Sequence, residues 1–185
     1  MSGTSRRADM FRDLDKDPRE DLPRLGDEKT TLTTALKHQR MTLEIKCEGL
    51  DAEQMARRAV EPSTMSLLGI VRHLARGEQL SFREEMAGLK VERLYTSPTN
   101  RDGDFDDAVA DPEVVADAWA TWRREVAFAE QFVEQAESLD IRGVSAWDGS
   151  PVSLREQLVG QIGEYSRHLG HVDILRERID GRLGQ

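Results

Sequence analysis

The stretch E-Y-S-R-H-L-G-H-V-D, residues 164–173, contains a carboxylate and two of the chain's four histidines. If it is helical, with about 100° between successive residues, Glu164, His168 and His171 lie on a stripe that also carries apolar side chains. Three polar groups on a buried stripe are costly without a partner, and a divalent metal would satisfy all of them. The four-residue spacing from Glu164 to His168 also brings two ligand atoms over one point, as helical metal sites require.

A single helix seldom supplies a whole metal site, so the other two histidines have to be considered. His38 lies in the charged segment K-H-Q-R and is predicted to be solvated. His73 lies in L-L-G-I-V-R-H-L-A-R-G, four residues after Gly69 and four before Gly77. A glycine inside a helix costs about 1 kcal/mol relative to alanine, so this pair indicates room for water, for substrate or for a closely packed helix.

Two hypotheses account for these polar residues. The first is a divalent metal held by His73, Glu164 and His168, with His171 as a fourth ligand or a nearby acid/base. Mixed nitrogen and oxygen ligands suit zinc, nickel, iron or manganese, and three protein ligands with open positions are typical of a catalytic site. The second is a set of hydrogen-bonded core side chains that line an inert pocket. The residues by themselves leave both hypotheses open.

Four amphipathic helices are predicted to position these residues, because apolar side chains recur every three or four positions and strand patterns are almost absent. The expected helices span about residues 27–47, 63–86, 111–139 and 153–179. Their predicted N-caps are side chains that accept backbone hydrogen bonds, namely Ser63 or Thr64 for the second helix, Asp111 for the third and Ser153 for the fourth. The predicted fold class is all-α, a four-helix bundle.

Two polar segments lie outside these helices. Residues 1–22 lack periodicity, so a flexible N-terminal arm is predicted there, followed by the bundle domain over residues 23–185. An arm that binds a partner or is swapped between protomers is the alternative. The connection 88–110 resembles a calcium loop in its carboxylate spacing, but Asp107 stands where that loop needs glycine. We therefore expect an acidic, solvated loop.

Composition restricts the class of function. The chain of 185 residues has 26 Lys and Arg against 35 Asp and Glu, a net charge of -9, which argues against nucleic-acid binding. It has no apolar run of about 18 residues and no signal-like start, so we expect a cytoplasmic protein without a membrane span. The single cysteine, Cys47, excludes an intramolecular disulfide, and its place on the apolar face of the first helix predicts a small core residue.

Four stretches of the chain carry a resemblance to a known superfamily. They are L-L-G-I-V-R-H-L at 67–74, A-T-W-R-R-E at 120–125, P-V-S-L-R-E at 151–156 and, most specifically, E-Y-S-R-H-L-G-H-V-D-I-L-R-E-R-I-D-G at 164–181. The chain resembles the DinB-like superfamily, four-helix proteins of the YfiT and mycothiol-dependent enzyme type. Within it, the chain is most similar to an actinobacterial subfamily of unknown function. The resemblance spans about residues 27–181.

The resemblance implies a metal site and an activity. A metal, with zinc expected and nickel, iron or manganese as alternatives, would be held by His73, Glu164 and His168, although many relatives have histidine where this chain has Glu164. That departure bears on metal choice and affinity. The implied activity is that of a thiol (mycothiol)-dependent S-transferase, or a related transferase or hydrolase of small molecules, with His171 as a catalytic proton shuttle. A homodimer is also implied. The alternative is a non-catalytic, stress-related bundle that binds a metal or a small molecule.

Overall fold

The computed structural model describes residues 16–184, and most of these residues are helical. The long helices are α1 (Glu28–Cys47), α3 (Leu67–Glu78), α5 (Pro112–Gln135) and α6 (Leu154–Asp180). Shorter elements connect them: α2 (Ala52–Ala56), a π-helical segment (Gln79–Met86) that continues α3, α4 (Gly103–Asp106), and the strands β1 (Arg142–Val144) and β2 (Pro151–Ser153).

The four long helices form a bundle, in which α3 packs along α5 and α1 packs along α6. The prediction of an all-α four-helix bundle is confirmed. The core includes Cys47 and Trp122, as their apolar stripes predict, together with leucines from the long helices. No helix within residues 16–184 combines the length and the apolar composition needed to cross a membrane.

Local hydrogen bonds explain where three of the helices begin. The carboxylates of Asp27 and Asp111 accept the backbone N–H groups of Thr30 and Glu113, each at 2.8 Å, and start α1 and α5. The Ser153 hydroxyl accepts the N–H of Glu156 and starts α6. These side chains satisfy donors that a helix leaves unpaired in its first turn. The predicted starts of these helices are therefore right within one or two residues.

The start of α3 differs from the prediction. The cap is Ser66, whose hydroxyl accepts the N–H of Gly69 at 3.1 Å. Ser63, one of the two predicted caps, instead accepts the N–H of Met65 in the preceding turn. Because that local bond uses the Ser63 oxygen, the chain enters the helix three residues later than expected.

The end of this helix also differs, because residues 79–86 are π-helical. The wider turn places the Gln79 side chain against the connection that follows, where it accepts the N–H of Leu94 and donates to the carbonyl of Glu92. The β1–β2 hairpin, which was not predicted, packs on the same segment, with the Gly143 backbone close to Glu85. A side chain at Gly143 would collide with that backbone, so glycine is needed there.

The prediction of a solvated loop over residues 88–110 is wrong for residues 103–106. Residues 103–106 form α4, and Gly103 and Asp104 are buried against α3. The guanidinium of Arg72 donates to the backbone carbonyls of Gly103 and Asp104, at 2.8 and 3.0 Å, and so fixes this short helix. Long-range contacts with α3, which the sequence pattern does not show, order the segment.

Residues 1–15 of the predicted N-terminal arm lie outside the described residues. In the part that is described, Arg19 pairs with Asp17 and donates a hydrogen bond of 3.0 Å to the Thr42 hydroxyl of α1. The division into an arm and a bundle domain stays a prediction.

Candidate metal centre

Three of the predicted site residues meet between α3 and α6. His73 comes from α3, whereas Glu164 and His168 come from successive turns of α6. The Nε2 atoms of both histidines lie 3.1 Å from the same oxygen, Oε1 of Glu164. One candidate ligand atom from each residue lies within 4.8 Å of the others. The structure therefore brings the three candidate ligand residues together.

One of these three side chains is buried and the other two are partly exposed. His168 is buried, with 8% of its surface exposed, whereas His73 and Glu164 are partly exposed. The site is therefore buried at His168 and partly accessible to solvent at His73 and Glu164. A metal held there would keep coordination positions for water or substrate.

The electrostatics of the cluster follow from its hydrogen bonds. Burial lowers the pKa of His73, but hydrogen bonds to Asp104 and Glu164 outweigh burial and raise it to about 9. Hydrogen bonds from His168 and His73 hold the pKa of Glu164 well below its usual range, against the opposing effect of burial. Arg167 adds an ion pair at 3.1 Å. Glu164 is therefore a carboxylate and His73 carries a proton that a metal would displace.

The donor set fits a divalent transition metal. Two imidazole nitrogens and one carboxylate oxygen converge on one point, and such mixed ligands are used for zinc, nickel, iron and manganese. Because of Glu164, the three ligands carry one more negative charge than three histidines would.

His171 is not part of this group of converging atoms. Its Nδ1 lies 3.5 Å from Nδ1 of His168, whereas the Nε2 of His168 faces Glu164. His171 therefore lies on the opposite side of the His168 ring from the proposed metal position. Burial and the neighbouring His168 lower the pKa of His171.

The other histidine and the two glycines considered from the sequence lie outside the group of candidate ligands. His38 is exposed, as predicted. Gly69 lies under Phe105, whose ring would be 2.7 Å from an added Cβ atom, and Gly77 lies near Gln161 of α6. The ring of Phe105 in turn packs on His73, with 5.3 Å between ring centroids. Close packing under Phe105 accounts for Gly69, whereas a Cβ atom added at Gly77 would reach only ordinary contact with Gln161, at 3.9 Å.

Two residues beside the site were not among those predicted from the sequence. Oδ2 of Asp104 lies 2.8 Å from Nδ1 of His73, and the Arg76 guanidinium lies 3.1 Å from the same oxygen. Asp104 belongs to the acidic segment D-G-D-F-D-D, whose carboxylate spacing suggested only a calcium loop. The one signal in the sequence was the unusual length of that connection, since long loops in small domains are often functional.

A cavity of about 610 Å³ begins beside Arg76. Its lining includes Arg76, Arg93, Arg101 and Trp147, which come from α3, the long connection and the hairpin turn. Arg76 also contacts Asp104, so the cavity is separated from His73 by the Arg76–Asp104 pair. Its volume is in the range of pockets that hold small organic ligands.

Comparison with known proteins identifies the family. A family model described as Mycothiol-S-transferase matches residues 31–181, a range that includes His73, Glu164 and His168. The chain belongs to the mycothiol S-transferase family. The resemblance to mycothiol-dependent enzymes of the DinB-like type is thereby confirmed. A search of the curated proteins gave no match.

Two solved structures share the fold of this family member. A conserved protein from Enterococcus faecalis is 17% identical, with a TM-score of 0.58, and the match covers 85% of this chain and 99% of that chain. A mycothiol-dependent maleylpyruvate isomerase is 14% identical, with a TM-score of 0.58, and the match covers 83% of this chain and 62% of that chain. At these identities the likeness shows the fold alone.

Some expectations gain no support from these findings. The family description names a transferase, and nothing favours the hydrolase that was also considered. The homodimer, the cytoplasmic location and the absence of a nucleic-acid partner stay predictions.

Proposed function

We propose that the protein is a metal-dependent S-transferase that joins a small thiol, mycothiol, to an electrophilic small molecule. The observation that carries this proposal is the convergence of His73, Glu164 and His168 in a chain of the mycothiol S-transferase family. In the reaction a sulfur–carbon bond forms, the electrophile loses its leaving group, and the thiol proton passes to a base.

The chain cannot supply the sulfur nucleophile itself. Cys47 is its one cysteine, and burial raises the pKa of that thiol to about 12. A thiol needs to become a thiolate to react, and this one is both protonated and shielded from substrate. The reacting sulfur must therefore come from a small molecule, as a mycothiol-dependent reaction requires.

The candidate ligands have separate roles in this proposal. His73, Glu164 and His168 would hold the metal, which when bound supplies positive charge that stabilises the thiolate form of the thiol. His168 also contacts His171, and His171 is partly exposed. We therefore assign His171 the role of a proton carrier between the site and solvent. The cavity beside Arg76 is the proposed place for the organic part of the small molecules.

The first test combines metal analysis with a thiol-transfer assay. Untagged protein is expected to carry close to one metal ion per chain and to consume mycothiol in the presence of monochlorobimane, with release of chloride. The double variant His73→Ala/His168→Ala should lose both the metal and the activity. His38→Ala is the matched control, because His38 is an exposed histidine away from the site. Transfer activity that survives in the double variant would contradict the metal mechanism.

A second candidate is a non-catalytic bundle, which either binds a metal or a small molecule or has a polar cluster that hydrogen bonds alone satisfy. It is favoured by one observation: each ring nitrogen of His73 and His168 already has a protein partner, so hydrogen bonds could satisfy the cluster by themselves. This alternative predicts stoichiometric metal without transfer activity, or no metal and little change in stability on chelation. The same metal analysis and assay separate it from the transferase.

A further inference from the structure

Asp104 occupies a position that affects the candidate metal centre without belonging to its ligands. Its carboxylate is bonded to Nδ1 of His73, while Nε2 of the same ring faces Glu164. A histidine ligand uses one ring nitrogen for the metal, and the partner of the other nitrogen fixes the orientation of the ring and strengthens it as a ligand. The Asp104 bond leaves Nε2 as the nitrogen that faces the ligand cluster.

The Asp104 carboxylate is itself held from several directions. Only 1% of the residue is exposed, so solvent does not compete for its oxygens. Arg76 binds Oδ2, the backbone N–H of Phe105 lies 3.2 Å from Oδ1, and Arg72 fixes the backbone of the residue. A buried carboxylate is costly without such partners, so these contacts confine its oxygens to one place.

The packing of α4 on α3 places the Asp104 carboxylate beside His73. The ring of Phe105, next to Asp104 in the chain, lies over Gly69 and against His73. Gly69 is one turn before His73, so the absence of a side chain there lets α4 lie close enough for the 2.8 Å contact. The short helix, the glycine and the carboxylate thus form one arrangement around His73.

We propose that Asp104 is a positioning residue that orients His73 and raises the metal affinity of the centre. This inference rests on the proposed function only in that a metal binds to His73, Glu164 and His168. It does not depend on which small molecules react there.

The experiment measures metal affinity rather than turnover. The zinc Kd of the full chain is determined by competition with a chelator, and the absorption bands of the cobalt(II)-loaded protein report the ligand geometry. Asp104→Asn keeps the size and hydrogen-bonding shape but loses the charge, and it is expected to weaken zinc binding about 10-fold. Asp104→Ala loses the contact as well, so it should weaken zinc binding about 100-fold and alter the absorption bands of the cobalt(II)-loaded protein.

Two controls separate this role from a merely structural one. Asp106→Asn changes an exposed carboxylate of the same short helix and should leave the zinc Kd unchanged. Thermal unfolding of the metal-free proteins checks that Asp104→Asn is folded as the wild type is. If Asp104→Asn binds zinc with the wild-type Kd and shows the wild-type cobalt bands, the inference is overturned while the metal centre stands. If the wild type binds no metal, both the inference and the proposed metal mechanism are overturned.

Discussion

Cys47 and His171 show how the surroundings of a single residue decide its chemistry. Cys47 has the side chain of a nucleophile, but it lies in the core at the end of α1, where burial disfavours the thiolate. His171 is next to the candidate ligands in sequence, yet its ring lies behind His168 rather than among the ligand atoms. Each of these two residues leads to a prediction at the scale of a single residue.

The Cys47 thiol should be unreactive in the folded protein. Because its pKa is raised to about 12, hardly any thiolate is present at about pH 8, where an ordinary cysteine is partly ionised. Titration with Ellman's reagent at that pH should detect almost no thiol in the native chain and one thiol per chain in guanidinium chloride. Rapid reaction of the native protein would show that the thiol is accessible and contradict its assignment to the core.

Replacing His171 should slow the reaction without removing the metal. His171→Ala removes the proposed proton carrier, and general acid–base groups contribute about 10²-fold or more, so a loss of that order in kcat is expected. Metal content should match that of the wild type, because His171 is not among the converging ligand atoms. Imidazole added to the buffer should restore part of the rate. An unchanged kcat would remove His171 from the mechanism.

At the scale of elements, the contact between α3 and α4 connects the bundle to the site. The residues on α3 that face α4 are small or hydrogen-bonded: Gly69 leaves room for the Phe105 ring, and Arg72 holds the α4 backbone. Gly77 lies two turns further along α3, and a Cβ atom added there would have no neighbour closer than 3.9 Å. The two glycines should therefore respond differently to the same substitution.

Gly77→Ala is expected to stabilise the protein by up to about 1 kcal/mol, because alanine is the better helix former and the space is free. Gly69→Ala should lack this gain and instead lower the free energy of unfolding, since its Cβ would force the Phe105 ring away. Urea unfolding of both variants measures the difference. Equal stabilisation by the two substitutions would contradict the close packing of α4 on α3.

At the scale of the whole molecule, one buried polar network joins all four long helices. Arg40 of α1 binds Glu78 of α3 through two hydrogen bonds, at 2.8 and 2.6 Å. The Tyr165 hydroxyl of α6 donates to Glu78 and accepts from the Trp122 indole of α5, each at 2.8 Å. Burial and the Glu78 charge raise the pKa of Tyr165, so its hydroxyl stays a donor. The network fixes the relative position of α3 and α6, which carry the candidate ligands.

Arg40→Met should destabilise the bundle by about 3–5 kcal/mol, because it leaves the Glu78 carboxylate buried without its ionic partner. The matched control is Arg123→Met, which removes an exposed ion pair between α5 and Glu44 of α1 and should cost at most about 1 kcal/mol. Denaturant unfolding of both variants checks this difference. Similar losses of stability in the two variants would mean that the buried Arg40–Glu78 pair stabilises the protein no more than the exposed Arg123–Glu44 pair does.

The sequence by itself indicated the four long helices and named the three candidate ligands. Apolar periodicity and capping residues such as Asp111 are local signals, and the four-residue spacing of Glu164 and His168 is a property of any helix. Only the tertiary structure decided that His73 meets this pair, that α4 forms, and that Asp104 is buried beside His73. These contacts join residues about 30 or 90 positions apart, and no periodicity within one segment encodes which distant side chain will pack against it. The tertiary structure also decided that His171 lies behind His168. Helical spacing gives the side of a helix on which a residue lies, but not the direction in which its ring nitrogens point.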